Sequence, residues 1–404
     1  MGKSFGGKLR SARQERNLTQ AQLGHGAFRP REISLLEAGR REPVPGAVSL
    51  LSDRLDSGAA PGRTGKQTAL FLELSARQAL DERDYGAACS LADAAAGAAL
   101  AEGHPQSWWD MTYLAAHCLC TTHAYRDCIA KASLLARHPL AAEYPGLRAQ
   151  AETLLATAYL GTGELGSAVT HARSAVARVQ EARVGAAAFL DACGALVTAL
   201  AEAGGLDEAW TYCRTLVLPL LETGVGRQIE GKARWAVGTV AFRRGDISTG
   251  LMHHRTAADL LEPGVDVELW ARFNNATAAI RLGAGIHDRE TLTCIEHAEA
   301  AMSVVGLHGP ERLEADHSRG IWLDLNGDHA RAVWMLSDVY AHRGELSPQD
   351  SGELALHLGL ALARTGMPDA GSVYLADSEQ RFRSAGAKDR AAHAAALAHE
   401  MAAG

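Results

Sequence analysis

Gly163-Glu164-Leu165-Gly166-Ser167-Ala168 is the stretch on which the reading of this chain turns. An Ala-rich helical pattern precedes it, and its glycines mark a short turn. A second helical pattern then begins with a small residue near its start. The arrangement returns at Gly204–Ala209, Gly245–Gly250 and Gly327–Ala332. Ala168, Ala209 and Gly250 are 41 residues apart, Thr291 holds the next slot, and Ala332 follows after another 41. Cys128 and Ala88 extend the series backwards in steps of 40, and Gly371 closes it after 39. Seven residues beyond the small position, Ala175, Ala257 and Ala298 recur. A constant period of this length is the mark of stacked helical hairpins. The small residues are expected where paired helices cross too closely for a large side chain.

Around Tyr159-Leu160-Gly161, Ala168 and Ala175 the pattern resembles the tetratricopeptide family. The period exceeds that family's standard of about 34 residues. Each pair must therefore carry extra helical turns or longer loops. The expected fold is all-α: an N-terminal helix-turn-helix domain followed by a TPR-like α-solenoid of about eight helical pairs. Alanine's high helix propensity supports this, and the Ala-rich tail from Ala387 to Gly404 is expected to cap the last pair. A solenoid presents a concave groove lined by the first helix of each pair. Counting back from the small positions places Lys232, Arg234, Trp235, Asn274, Asn275 and His317 near that face. Asn carboxamides can pair with both N–H and C=O of an extended peptide, and Arg can hold a carboxylate. The same residues also read as core, in the case of Trp235, or as solvated helix faces. Trp108 and Trp109 likewise read as groove or core, with core the preferred reading.

Charge is unevenly spread along the 404 residues, whose formal net charge is -7. Residues 1–63 hold 11 Lys/Arg against 6 Asp/Glu, a net of +5, which leaves -12 for the rest. A basic end on an acidic body fits a small nucleic-acid-binding head. The seven cysteines are an odd number, spread over a long chain, and read as reduced cytosolic thiols. Cys118-Leu119-Cys120 with His117 and His123 lacks the spacing and the second ligand pair of a zinc site, so no metal and no cofactor is expected. No apolar run reaches membrane-spanning length, and no export signal follows Met1-Gly2. The expected location is the cytoplasm. No phosphate-binding loop, nucleophile elbow or zinc-protease motif occurs, so the chain is not expected to be an enzyme.

At the N-terminus, Phe5, Leu9 and Ala12 recur with helical period, and Asn17 is expected to end that helix. Thr19 suits the N-cap of a second helix over Gln20 to about His25, and Gly24 and Gly26 allow a tight exit. Pro30 suits the first turn of a third helix reaching Ala38, with Ile33 and Leu36 inward and Gly39 as its left-handed stop. Pro43 or Pro45 opens a further segment with Val48, Leu51 and Leu55 on one face. Residues 57–66 are rich in Gly and Pro and read as a linker between a domain at 1–56 and the repeats at 67–404.

Thr19-Gln20, Leu23, Ile33-Ser34, Glu37, Gly39-Arg40 and Pro43 together resemble the Cro/repressor-type, or XRE-like, helix-turn-helix family over residues 5–56. The turn between Leu23 and Ile33 is about one residue shorter than the commonest form, and Gly24 replaces the usual Ala. The resemblance implies double-stranded DNA as a partner. It assigns Gln20 to a phosphate at a helix N-terminus and points the first turn of the third helix at base edges. That turn offers Arg29, Arg31 and Glu32, with Arg31 the foremost guanine reader. Pro30 fills a slot often held by a base reader and cannot hydrogen-bond there. Arg40 and Arg41 are expected on phosphates. With Thr19 and Ser34 these complete the DNA-facing set. The family pattern gives Arg13 and Glu37 an internal ion pair.

Such a head followed by TPR-like repeats resembles the RRNPP class of peptide-sensing regulators. The resemblance implies a homodimer on a roughly palindromic operator, with a peptide or other small ligand in the solenoid groove that modulates DNA binding. The alternative is a protein-binding adaptor that recruits or sequesters a protein partner, its head only localising it on DNA.

Overall fold

A single left-handed residue follows the first helix of every pair. Gly163, Gly204, Gly245, Gly285, Gly327 and Gly366 have φ between 74° and 89°, and Arg83 and His123 take the same conformation in the first two pairs at 60° and 61°. Each stands five residues before the small residue of the series, or six at Gly285. The small residue is then the fourth of the second helix, and at Thr291 the third. All eight small residues are buried. Glycine meets no Cβ penalty in the left-handed region, which is why a glycine at this slot was a readable turn signal.

The computed structural model describes residues 5–15, 18–24, 28–40, 51, 64–182, 184–306, 309–385 and 387–403, and these form helices and turns with no strand among them. Asn17, His25, Gly26, Arg41, Pro43, Pro45, Val48, Leu55 and residues 57–63 of the expected linker lie outside the described residues. The chain forms two compact units, Met1–Val217 and Leu218–Gly404.

The first unit opens with α1 (Phe5–Glu15), α2 (Gln20–Gly24) and α3 (Pro30–Glu37). Leu9, Leu23, Ile33, Leu36 and Leu51 form their common core. At Gly6 an added Cβ would lie 2.2 Å from the Leu36 carbonyl oxygen, so α1 and α3 touch backbone to backbone. Gly39 takes φ 65° after α3, as its place in the sequence predicts. Helix α4 (Thr64–Asp81) begins within the stretch read as linker and pairs with α5 (Tyr85–Ala101). Then come α6 (Pro105–Thr121) with α7 (Tyr125–Arg137), the short α8 (Pro139–Glu143), and α9 (Pro145–Gly161) with α10 (Leu165–Ala182). The unit ends with α11 (Ala186–Glu202) and α12 (Leu206–Tyr212), which runs into a π turn at Cys213–Val217. Pro219 follows that turn; it has no N–H, and its ring excludes an ordinary helical carbonyl four residues back. A widened turn is a common response to such an interruption.

The second unit starts with α13 (Leu218–Leu221). Its pairs are α14 (Arg227–Arg243) with α15 (Ile247–Leu260), α16 (Val267–Gly283) with α17 (Arg289–Val305), α18 (Pro310–Leu325) with α19 (His329–Ala341), and α20 (Pro348–Arg364) with α21 (Pro368–Ser384). Helix α22 (Lys388–Ala403) packs its Ala391 and Ala394 with Leu375 and Phe382 of α21 and covers the last pair.

The pairs are long because most of the paired helices run 17 residues, nearly five turns. That accounts for the period beyond the tetratricopeptide length. Asp84, Asp246, Asp266, Asp288 and Asp328 accept a backbone N–H at the start of their helices and fix where each begins. The crossings are as close as the small residues require. A Cβ on Gly250 would lie 2.5 Å from the Phe242 ring, and one on Gly371 would lie 2.5 Å from the Gly359 carbonyl oxygen. Each core also reaches into the next pair. Met111, Leu114 and Cys118 of α6 join Leu72, Ala88 and Ala95 of the first pair.

Candidate functional site

In the head, Glu37 is the fixed point. It is 8% exposed and receives Arg13 Nε at 2.5 Å, Arg13 Nη2 at 3.0 Å and Gln20 Nε2 at 2.9 Å. Burial pushes its carboxyl up, but the Arg13 and Gln20 hydrogen bonds and the Arg13 charge together hold it below the usual carboxylate range. One buried carboxylate thus ties α1, α2 and α3 together. The Gln20 side chain, assigned by resemblance to a phosphate, is engaged in this internal network. Thr19 Oγ accepts the Gln22 N–H at 3.1 Å, while Gln22 Oε1 accepts the Thr19 N–H at 2.8 Å, a reciprocal cap at the start of α2.

Helix α3 presents its first turn outward. Arg29, Pro30, Arg31 and Ser34 are exposed, as is Arg40 just past the helix. Arg31 and Ser34, three apart, share a face. Glu32 is half-buried and accepts the Arg29 N–H at 2.8 Å, so it acts as part of the helix cap. Arg41 lies outside the described residues.

The six groove candidates all fall in the second unit. Lys232 is exposed on α14. Arg234 is half-buried and holds Glu230 at 3.0 Å. Trp235 stands edge-on to Phe273, with centroids 5.8 Å apart, and belongs to the cluster with Ala257 and Leu261. Asn274 is buried and spends its Nδ2 on the Trp270 carbonyl at 2.8 Å, and Asn275 is buried beside it. His317 meets His357, ring to ring at 5.4 Å, and its Nε2 is shut from solvent with no hydrogen-bond partner. Desolvation and the neighbouring His357 push the His317 imidazole down to about 3. Trp235 thus joins a packed aromatic group with Phe273 and Trp270, Asn274 bonds its own helix's backbone, and His317 belongs to the α18–α20 contact.

A cleft of about 740 Å³ lies in the first unit, walled by Gln106, Trp109, Leu140, Tyr144, Leu147 and Gln150. Its volume falls in the range of small-molecule sites. The floor is apolar: Trp109 is 4% exposed and stacks on Tyr113 at 5.4 Å. Gln106 and Gln150 bring carboxamides to its wall. Helix α8 supplies Leu140. The 40-residue step from Cys128 to Ala168 is kept across it, because α7 is only 13 residues long and the chain breaks at Pro139, so a count from repeat phase passes over it.

Among the described residues, no cluster of three or more His, Cys, Asp or Glu fits a metal ion, and no helix is long and apolar enough to cross a membrane.

No protein-family model and no curated protein matches the chain. Several solved structures share its fold. The apo form of the quorum sensor NprR from B. thuringiensis aligns at a TM-score of 0.55 and 11% identity, over 94% of this chain and 100% of that one. Apo RapI aligns at 0.53 and 12%, over 74% and 99%. The Rap conjugation gene regulator of plasmid pLS20, in complex with the Phr* peptide, aligns at 0.51 and 14%, over 98% and 96%. At such identities the likeness establishes the all-α, TPR-like helical-repeat fold.

Proposed function

We propose that the chain is a sequence-specific DNA-binding transcriptional regulator of the cytoplasm, whose helical repeats dimerise and bind a signalling peptide or another small ligand. In this reading residues 1–56 bind DNA, 57–66 connect, and 67–404 sense and dimerise. The observation that carries it is the exposed first turn of α3, with Arg29, Arg31 and Ser34 outward over a head locked by Glu37. Arg31 reads a guanine edge bidentately, and Arg40 neutralises a phosphate. The repeats support the sensing half: their fold is shared with a quorum sensor and with a gene regulator crystallised with a peptide. An extended peptide would lay its backbone along first-helix carboxamides such as Gln106 and Gln150, with an apolar side chain in the cleft over Trp109. The mechanism is linkage: a ligand that prefers one arrangement of the repeats changes DNA affinity by the factor by which DNA changes ligand affinity.

Gel-shift titrations on the chain's own promoter region test this directly. Arg31→Ala is expected to relax base preference at one position per half-site, at a cost of about 1–3 kcal/mol. Arg40→Ala is expected to weaken all sequences alike and to flatten the salt dependence. A purified protein that shifts no promoter DNA at low salt, with or without cell extract, removes the reading.

One observation favours the adaptor alternative. Met252, Trp334 and Val373, each two residues past the small residue of its repeat, are 53%, 70% and 66% exposed. Stoichiometric co-purification of a protein partner, lost in Trp334→Ser, would select that alternative.

A further inference from the structure

We infer that the cleft over Trp109 is a binding site for a compact, uncharged small molecule, an apolar body that carries a hydrogen-bond acceptor such as a ketone, ester or amide oxygen. This rests on the sensing half of the proposed function, takes its small-ligand branch over an extended peptide, and does not involve the head. The observation behind it is an unmet donor. Trp109 is 4% exposed, and its Nε1 is closed to solvent with no hydrogen-bond partner. A buried indole N–H ordinarily finds an acceptor, and one left without costs stability. Packing accounts for the ring, which clusters with Leu135, Leu140 and Ala151 and stacks on Tyr113. It does not account for the N–H. The same residue lines the cleft. An acceptor brought in by an apolar group that presses on the indole meets the donor, the ring edge turning to it as the ligand seats.

Shape and charge narrow the ligand class. Gln106 and Trp109 stand in the first two turns of α6, Leu147 and Gln150 in the first two turns of α9, and Ala182 at the end of α10. Among the described residues, none from a third pair lines the cleft. A space bounded by two pairs suits a compact molecule better than a chain laid along the repeats. Its α8 wall is held in place: His138 Nδ1 accepts the Leu140 N–H at 3.2 Å, and the His138 ring lies 4.6 Å from that of Trp108. No Lys, Arg or His is among the described lining residues, and the charged one, Asp110, is paired with Arg77. An anion therefore finds no free cation there. Gln106 and Gln150 add neutral donors and acceptors.

The test uses the full chain without DNA and three probes: butyrophenone, butylbenzene, which keeps the shape without the oxygen, and hydrocinnamate, an anion of similar size. NMR of the indole N–H groups reports on the floor, the Trp109 resonance being the one absent from Trp109→Phe, and line broadening of each probe gives its affinity. Butyrophenone is expected to bind saturably and to move the Trp109 resonance downfield. Trp109→Phe, which keeps an apolar ring, is expected to cost butyrophenone about 2- to 10-fold more affinity than it costs butylbenzene, the worth of one hydrogen bond. Ala182→Phe, at a half-buried position, fills the cleft and is expected to abolish binding of both, with circular dichroism unchanged; it decides the site independently if Trp109→Phe unfolds. Hydrocinnamate is expected not to bind. Equal losses of the two neutral probes in Trp109→Phe overturn the hydrogen bond. Undiminished binding in Ala182→Phe overturns the site, and hydrocinnamate binding as tight as that of butyrophenone overturns the preference for an uncharged ligand. If no probe binds while the chain still shifts promoter DNA, the site falls and the regulator reading stands; if butyrophenone binds as expected and no DNA is shifted, the site stands without that reading.

Discussion

The two units bury different chemistry in the same hairpin. In the first, α5 alone buries Ala88, Ala92, Ala95, Ala96 and Ala99, and among the described residues the buried polar ones are Glu37, Thr112 and Glu152. The second buries His253, His254, Glu268, Asn274, Thr277, Arg281, Thr291 and Asp324, among others. The first therefore rests on close apolar contact, which is non-directional. The second depends on hydrogen bonds that must all be made, because an unmet buried polar group is expensive. His254 sits between Thr239 Oγ at 3.3 Å and Thr277 Oγ at 3.2 Å. Arg281 donates to Thr291 Oγ at 2.9 Å and holds Asp288 at 2.8 Å and Glu290 at 3.0 Å. The second unit should be the more sensitive to charge and pH.

The sharpest way to break this contrast is Arg281→Met. The side chain is 4% exposed, and its loss strips Thr291 Oγ of its donor and Asp288 of its ion-pair partner, while Glu290 keeps Arg255 at 3.0 Å. Both carboxylates are half exposed and re-solvate, so no buried charge is left and the cost is that of the lost charged hydrogen bond to buried Thr291, about 2–3 kcal/mol. Region-resolved hydrogen exchange should show that loss in residues 218–404 while the first unit keeps its protection.

Acid should act on the same side. Burial, with nearby cations as a lesser cause, pushes the His254 imidazole down to about 4 from the usual 6.5. The unfolded chain then binds a proton that the folded state refuses. Stability is whole above pH 6.5 and is lost as pH falls towards 4, by roughly 2–3 kcal/mol for this side chain. His317 and His357, lowered to about 3 and about 4, act in the same direction. Exchange measured at pH 7 and at pH 4.5 should show the second unit opening first, and His254→Gln should reduce the difference.

The smallest effect belongs to the first unit and has the opposite sign. His123→Gly relieves a left-handed non-glycine turn, a strain of about 1–2 kcal/mol, offset in part by the greater freedom of an unfolded glycine. A net gain of about 0.5–1 kcal/mol is expected, read as a rise in the denaturant midpoint of the first unit. The same change at the second unit's turns has nothing to relieve, because Gly245, Gly285, Gly327 and Gly366 already stand there.

The repeats were legible because a helix crossing admits only small side chains, and Ala168, Ala209, Gly250 and Ala332 keep that slot at one spacing. The caps of the head were legible for a similar reason: Thr19, Pro30 and Gly39 have few other uses in that order. Facing was less so. Repeat phase brought Asn274 to the first-helix row, yet the residue is buried and its carboxamide bonds the carbonyl one turn back on its own helix, neither of which repeat phase reveals. Neither the cleft nor the unit boundary follows the period. The cleft depends on α8, where Pro139 breaks the second helix of its pair within an unchanged 40-residue step, and the boundary falls at a π turn next to Pro219, where one proline outweighs a strong helical pattern.

The fixed slot of the left-handed residue also bears on how such a chain can change length. Gly163 and Gly204 are equivalent points, 41 residues apart, within one unit. Genetic recombination between two such turns would remove or add a whole hairpin while joining helix ends of the same geometry. Each turn is thus a ready splice point, and lineages of this chain can vary their number of repeats without inventing a new junction.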